Sequence, residues 1–121
     1  MTEKSPTIER HGDVTCIRLG MEFENLDEQS LDLIRSTMLD AAGSADPPRV
    51  LVDLQYTKFF GSSFIEVLFR IWNRINGIPG GKFGISGLSE YCLEVLEVTH
   101  LDKLWRLYPT FDEAIKDISD N

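Results

Sequence analysis

The stretch PPRVLVDL, Pro47 to Leu54, constrains the fold of this chain more than any other. Two successive prolines end a preceding helix, because they lack amide hydrogens and restrict the residue before them. The run that follows has strand length and is almost entirely apolar, the pattern of a strand covered on both faces or lying centrally in a sheet. After a short connection, Gly61-Ser62-Ser63 opens a segment with helical apolar spacing from about Ser62 to Asn76. The turn NGIPGG then leads into KFGIS, a second short strand. Strand, helix and strand joined by short connections form a parallel crossover unit, which is the basis of an α/β domain.

The flanking segments extend this pattern. VTCIRLG, Val14 to Gly20, reads as a strand paired with TIERH through a turn at Gly12-Asp13. From Asn25 to Ala42, Leu26, Leu31, Ile34, Met38 and Ala41 fall at helical spacings, with Asn25 or Asp27 available as cap and Gly43 as terminator. A third helix is predicted from Ser89 to Val98, capped by Ser89 with Glu90 in its first turn. LWRLY reads as a final short strand and DEAIKDIS as a closing helix. The expectation is one α/β domain over residues 1–121, with a mixed sheet of four to five strands, about four α-helices, and a flexible stretch at residues 1–6.

The charge balance narrows the partners. Twenty acidic residues against twelve basic ones give a net charge of −8, a field that repels phosphate backbones and anionic lipid headgroups. Nucleic acid and membrane surfaces are therefore excluded as expected partners. No window approaches 18 uninterrupted apolar residues, and MTEKSPTIERHG lacks the cationic start and apolar run of a secretory signal. A cytoplasmic protein is the expectation. Cys16 and Cys92 sit among apolar neighbours without metal-ligand spacing, so both are expected to be buried reduced thiols.

No assembled catalytic constellation is readable. His11 and His100 are the only histidines, and neither stands at ligand spacing from another candidate. Gly61-Ser62-Ser63 lacks the flanking glycines of a nucleophile elbow. Gly80-Gly81-Lys82 lies between a helix and a strand, whereas a P-loop runs from strand to helix. The expectation is a non-enzyme without cofactor or metal. Ser62 and Ser63 are nonetheless placed at a helix start, where a serine oxygen can cap free amides and where a phosphate would find a favourable field.

These residues resemble the STAS domains, in particular the bacterial anti-sigma factor antagonists. VLVDLQYTKFFGSS is similar to the family's strand ending Asp-Leu, followed by an aromatic or apolar pair and Asp-Ser-Ser at a helix start. GGKFGISGLSEYCLEVLEVTHLDKLWRLYPTFDEAI is similar to the later half: a Gly-Gly turn, a strand, a helix ending Leu-Glu-x-Thr, Leu-Asp-x-Leu, a short strand and a terminal helix. The resemblance implies a switch. An anti-sigma factor that is also a serine kinase phosphorylates the first serine, the unphosphorylated form captures that partner, and a phosphatase resets the cycle. The acceptor then corresponds to Ser62, with Ser63 beside it.

Three positions depart from the family pattern. Gly61 stands in place of Asp, Phe64 in place of Gly, and Glu66 in place of a small residue. Two readings stay open: a phosphorylation-gated antagonist, and a constitutive adaptor or scaffold that binds without switching. A sensor of small anionic ligands or nucleotides at the helix start is a third. Along the helix, Glu66 and Arg70 are spaced for an i,i+4 pair. Because relatives carry Gly at the position of Phe64, the edge Phe64, Val67 and Ile71 is expected to face a partner together with Gly61, Ser62 and Ser63. Ile65, Leu68, Phe69 and Trp72 are expected to pack on the sheet. Weak homodimerisation is left open.

Overall fold

A computed structural model describes residues 5–119. Of the stretch expected to be flexible, residues 1–6, residues 1–4 lie outside the described residues, and Pro6 is buried. The principal sheet contains five strands: β1 (Thr7–His11), β2 (Val14–Arg18), β4 (Arg49–Asp53), β6 (Lys82–Ser86) and β7 (Arg106–Tyr108), side by side in that order. β1 and β2 form the expected hairpin, with His11 opposite Val14 and Gly12 at a φ of +63°, which a residue without Cβ adopts readily. β2, β4, β6 and β7 are parallel.

Three successive crossovers move across the sheet in one direction, through α1 (Glu28–Gly43), α2 (Ser62–Asn76) and α3 (Glu90–Val98). Their helices accordingly share one face, packed over Ile17, Val50, Val52, Phe83 and Ile85. The last helix, α4 (Phe111–Ile118), covers the opposite face at Val14, Cys16 and Leu51 through Ala114 and Ile118. Period-two alternation along β4 thus feeds both layers, and all five of its residues are buried. Gly84 lets α4 approach closely, since a Cβ there would lie 2.7 Å from the Ile118 side chain and 2.9 Å from Tyr108.

Several boundaries differ from the sequence reading. Asn25 and Leu26 do not start α1: they form β3, which pairs in parallel with β5 (Phe59–Phe60) in a separate two-stranded sheet. Asp27 is the cap, accepting a hydrogen bond from the Ser30 amide. Ser89 caps α3 as expected, accepting from the Cys92 amide at 3.2 Å. Leu104 and Trp105 precede β7, and Trp105 turns inward against the Phe83 and Phe69 rings. Cys16 and Cys92 are free and buried. Among the described residues, no helix is long and apolar enough to cross a membrane.

Candidate functional site

The start of α2 lies at one end of the helical layer, and the small β3–β5 sheet fixes it there. Pairing of Asn25 with Phe59 and Leu26 with Phe60 sets the first turns of α1 and α2 next to each other. Backbone bonds from the Lys58 and Phe59 amides to the Glu24 carbonyl reinforce that junction, at 2.8 and 3.2 Å. Thr57 adds a buried hydroxyl bond to the Phe23 carbonyl at 3.0 Å. Two connections far apart in sequence are thereby locked together.

Within this frame Gly61 is the cap residue, with extended backbone and no side-chain acceptor. Neither serine caps the helix. Ser62 is the first helical residue, is exposed, and makes no hydrogen bond through its hydroxyl among the described residues. Ser63 is half-buried, and its hydroxyl donates to the carboxylate of Glu28, the first residue of α1. The two adjacent serines therefore have different surroundings: one free, one engaged. Glu28 escaped the sequence reading because no local pattern joins it to Ser63.

The expected orientation of α2 is corrected. Phe64, Val67 and Ile71 do not face outward: together with Leu68 and Ile75 they form the buried stripe, each at most 1% exposed. Their spacing, i, i+3, i+4, i+7 and i+11, is that of a single helix face, and α1 lies alongside to cover the edge that seemed free. Phe64 packs at 5.4 Å against the Phe60 ring in the interior. Conversely Phe69, expected on the sheet, is 41% exposed and rests edge-on against Trp72 and Trp105.

The accessible side of α2 is instead a broad open trough of about 540 Å³, lined by Ser62, Ile65, Glu66, Phe69, Arg70 and Asn73. Glu66 and Arg70 form the expected pair at 3.3 Å. Both are well exposed, so the pair contributes roughly 0.3–0.5 kcal/mol. Ser62 sits at one end of a mixed apolar and polar surface, a shape suited to a protein contact and too open to enclose a metabolite.

A second polar cluster lies behind the sheet. Asp53, at the end of β4 and 1% exposed, accepts hydrogen bonds from Ser86 Oγ at 2.9 Å and Arg18 Nε at 3.2 Å. Arg18 also reaches Glu9 at 3.4 Å and stacks its guanidinium 4.0 Å from the centre of the Phe111 ring. The hydrogen bond from His11, followed by Arg18, holds the Glu9 carboxyl below its ordinary pKa. The cluster joins β1, β2, β4, β6 and α4, and each of its charges has a partner, as a structural network requires. Among the described residues, no group of three or more His, Cys, Asp or Glu side chains is placed to hold a metal ion.

Known structures share this fold. The structure of an anti-sigma-factor antagonist (STAS) domain protein from Planctomyces limnophilus is 41% identical, with a TM-score of 0.90 over 94% of this chain and 97% of that one. A putative anti-sigma factor antagonist from Thermotoga maritima superposes with a TM-score of 0.79 at 20% identity, over 93% of both chains. The phosphorylated form of the Bacillus cell fate determinant SpoIIAA gives 0.68 at 19% identity, over 94% of this chain and 99% of that one. These last two likenesses speak for the fold alone. No curated protein sequence matches the chain. The family profile described as the STAS domain matches residues 5–114, which takes in every strand, the first three helices and the serine-bearing start of α2. With the fold, the profile and a close structural relative in agreement, the chain belongs to the STAS domain family.

Proposed function

We propose that this chain is a regulatory protein-binding module of the anti-sigma factor antagonist type, gated by phosphorylation at Ser62. Its partner on this reading is an anti-sigma factor with serine kinase activity, and a phosphatase restores the binding form. The observation that carries the proposal is the difference between the serines: Ser62 offers a free, exposed hydroxyl at the first position of α2, while Glu28 holds Ser63. A kinase needs a reachable hydroxyl, and Ser62 supplies one.

Phosphate at Ser62 would face the free amides of the helix start, so the fold tolerates it. It would also bring a charge of about −1.5 to −2 to one end of the α2 trough, where a docked partner would have to desolvate it. Binding is thus switched with little change of structure. The 41% identical relative, an anti-sigma-factor antagonist (STAS) domain protein by description, supports the same class of role.

The test is to recover the protein from its native cells, map its phosphopeptides, and compare partner capture by the wild type and Ser62→Asp. The gate predicts phosphate on Ser62 and a large loss of capture in the variant; no phosphate on either serine would sink it. A second reading, a constitutive adaptor, draws on Gly61, which brings no carboxylate to the acceptor. It predicts that Ser62→Asp captures the partner as well as the wild type. The small-anion sensor is disfavoured by the openness of the trough, which does not enclose a small ligand.

A further inference from the structure

α3 carries an unpartnered face that the Ser62 reading does not use. Cys92 and Leu96 anchor this helix in the core, while Tyr91 is 51% exposed and Val98 71% exposed. With the half-buried Val95 between them, they lie at i, i+4 and i+7, one continuous apolar stripe about 10 Å long at 1.5 Å per residue. Phe59 of β5, 40% exposed, stacks on Tyr91 at 5.5 Å and lengthens the stripe. Glu90, Glu94 and Glu97 flank it, all exposed and none in an ion pair among the described residues. α3 itself contributes no basic residue.

We infer that this face of α3 docks a basic amphipathic helical segment of a protein partner, with apolar side chains on Tyr91, Val95 and Val98 and Lys or Arg residues paired to Glu90, Glu94 and Glu97. The hollow lined by Tyr91, Glu94, Val95, Val98 and Thr99 measures about 250 Å³. That is below the roughly 300–1,000 Å³ of metabolite pockets and suits one anchoring side chain. A second copy of this chain is a poor occupant, because a two-fold contact through α3 would set one row of glutamates against the other. Nucleic acid and anionic membrane are repelled by the same carboxylates. The surface operates whether or not Ser62 carries phosphate.

The probe is a fluorescent helical peptide of about 14 residues, with Leu along one face and Lys elsewhere, alongside a scrambled peptide of equal composition. Anisotropy is measured at about 0.1 M salt, where distant charges are screened. The helical peptide should bind, Glu94→Gln/Glu97→Gln should weaken it about fivefold, and Val98→Ser should weaken it comparably. The equal-charge control Asp40→Asn/Asp112→Asn should change binding less than about twofold. Amide chemical shifts should move along α3. Equal losses for the two charge pairs, equal binding of the scrambled peptide, or shifts confined to α1 or α2 would overturn the inference. So would a dimer of the wild type that Val98→Ser dissolves, which would give the face to a second copy. None of these outcomes depends on Ser62, so the switch and the α3 surface fail or stand separately.

Discussion

The hydroxyl of Ser63, in the first turn of α2, donates a hydrogen bond to the carboxylate of Glu28 in the first turn of α1. A negative group at Ser63 must therefore meet Glu28, whereas one at Ser62 is exposed at the free helix amides, with Glu66 one turn on already paired to Arg70. Ser63→Asp should lower stability by about 1 kcal/mol, a fall in Tm of about 4 °C for a domain of this size. Adding Glu28→Gln should recover most of that loss. Ser62→Asp should be neutral or stabilise by about 0.3–1 kcal/mol through the helix dipole. Thermal denaturation of the four proteins checks this, and equal behaviour of the two Asp variants would remove the distinction between the serines.

Gly61 caps α2 without a side chain, and a Cβ built there meets nothing within 4 Å. Its φ of −105° is open to any residue. Gly61→Asp should therefore supply the missing acceptor for a first-turn amide and stabilise the protein by about 0.5 kcal/mol. Urea denaturation reads the gain as a higher midpoint at unchanged slope. A loss of stability would mean that repulsion from nearby Glu28 outweighs the cap.

Phe64 and Phe69 stand five positions apart on α2 in opposite environments. Phe64 is fully buried against Phe60, and Phe69 is 41% exposed. Phe64→Ala should cost about 3–5 kcal/mol, the range for removing a core aromatic ring. Phe69→Ala should cost about 1 kcal/mol, since part of the ring is already wet and what is lost is contact with Trp72 and Trp105. Equilibrium unfolding of both variants tests the orientation of α2 directly.

The difference between those rings shows where the sequence was legible. The strands Arg49–Asp53 and Lys82–Ser86, the Gly12-Asp13 hairpin and the caps at Asp27 and Ser89 follow from local rules, and the structure places them as those rules require. The face of α2 was not legible, because its apolar positions cover more than one side and only the neighbouring α1 decides which side is buried. β3 was hidden for a similar reason: two residues carry no period, and Asn25-Leu26 becomes a strand only by pairing with Phe59-Phe60. The serines were found from their place after a strand. The carboxylate that separates their chemistry was not, since Glu28 lies 35 residues away in the chain.

Two protonated groups on the α4 side of the sheet, the buried Cys16 thiol and the half-buried Tyr108 phenol, contribute to the alkaline limit of the fold. Burial, and secondarily the Glu9 charge, pushes the Cys16 thiol from 9.0 up to about 12. Burial, with the Tyr108 hydroxyl donating to Asp117, pushes the Tyr108 phenol from 10.0 to about 12. In each case the folded chain holds its proton more tightly than the unfolded chain. Their contribution is therefore complete below the unfolded values and is lost as pH rises from about 9 towards 12. Urea midpoints taken at about pH 8, 9.5 and 10.5 should fall progressively. Cys16→Ala should be less stable at every pH, from the packing it loses, yet decline less steeply above pH 9 because one of the linked protons is gone. An aromatic disulfide reagent at pH 8 should leave Cys16 unmodified in the folded protein and react once urea exposes it. A stability profile flat through pH 10.5 would show that neither group is held in its neutral form by the fold.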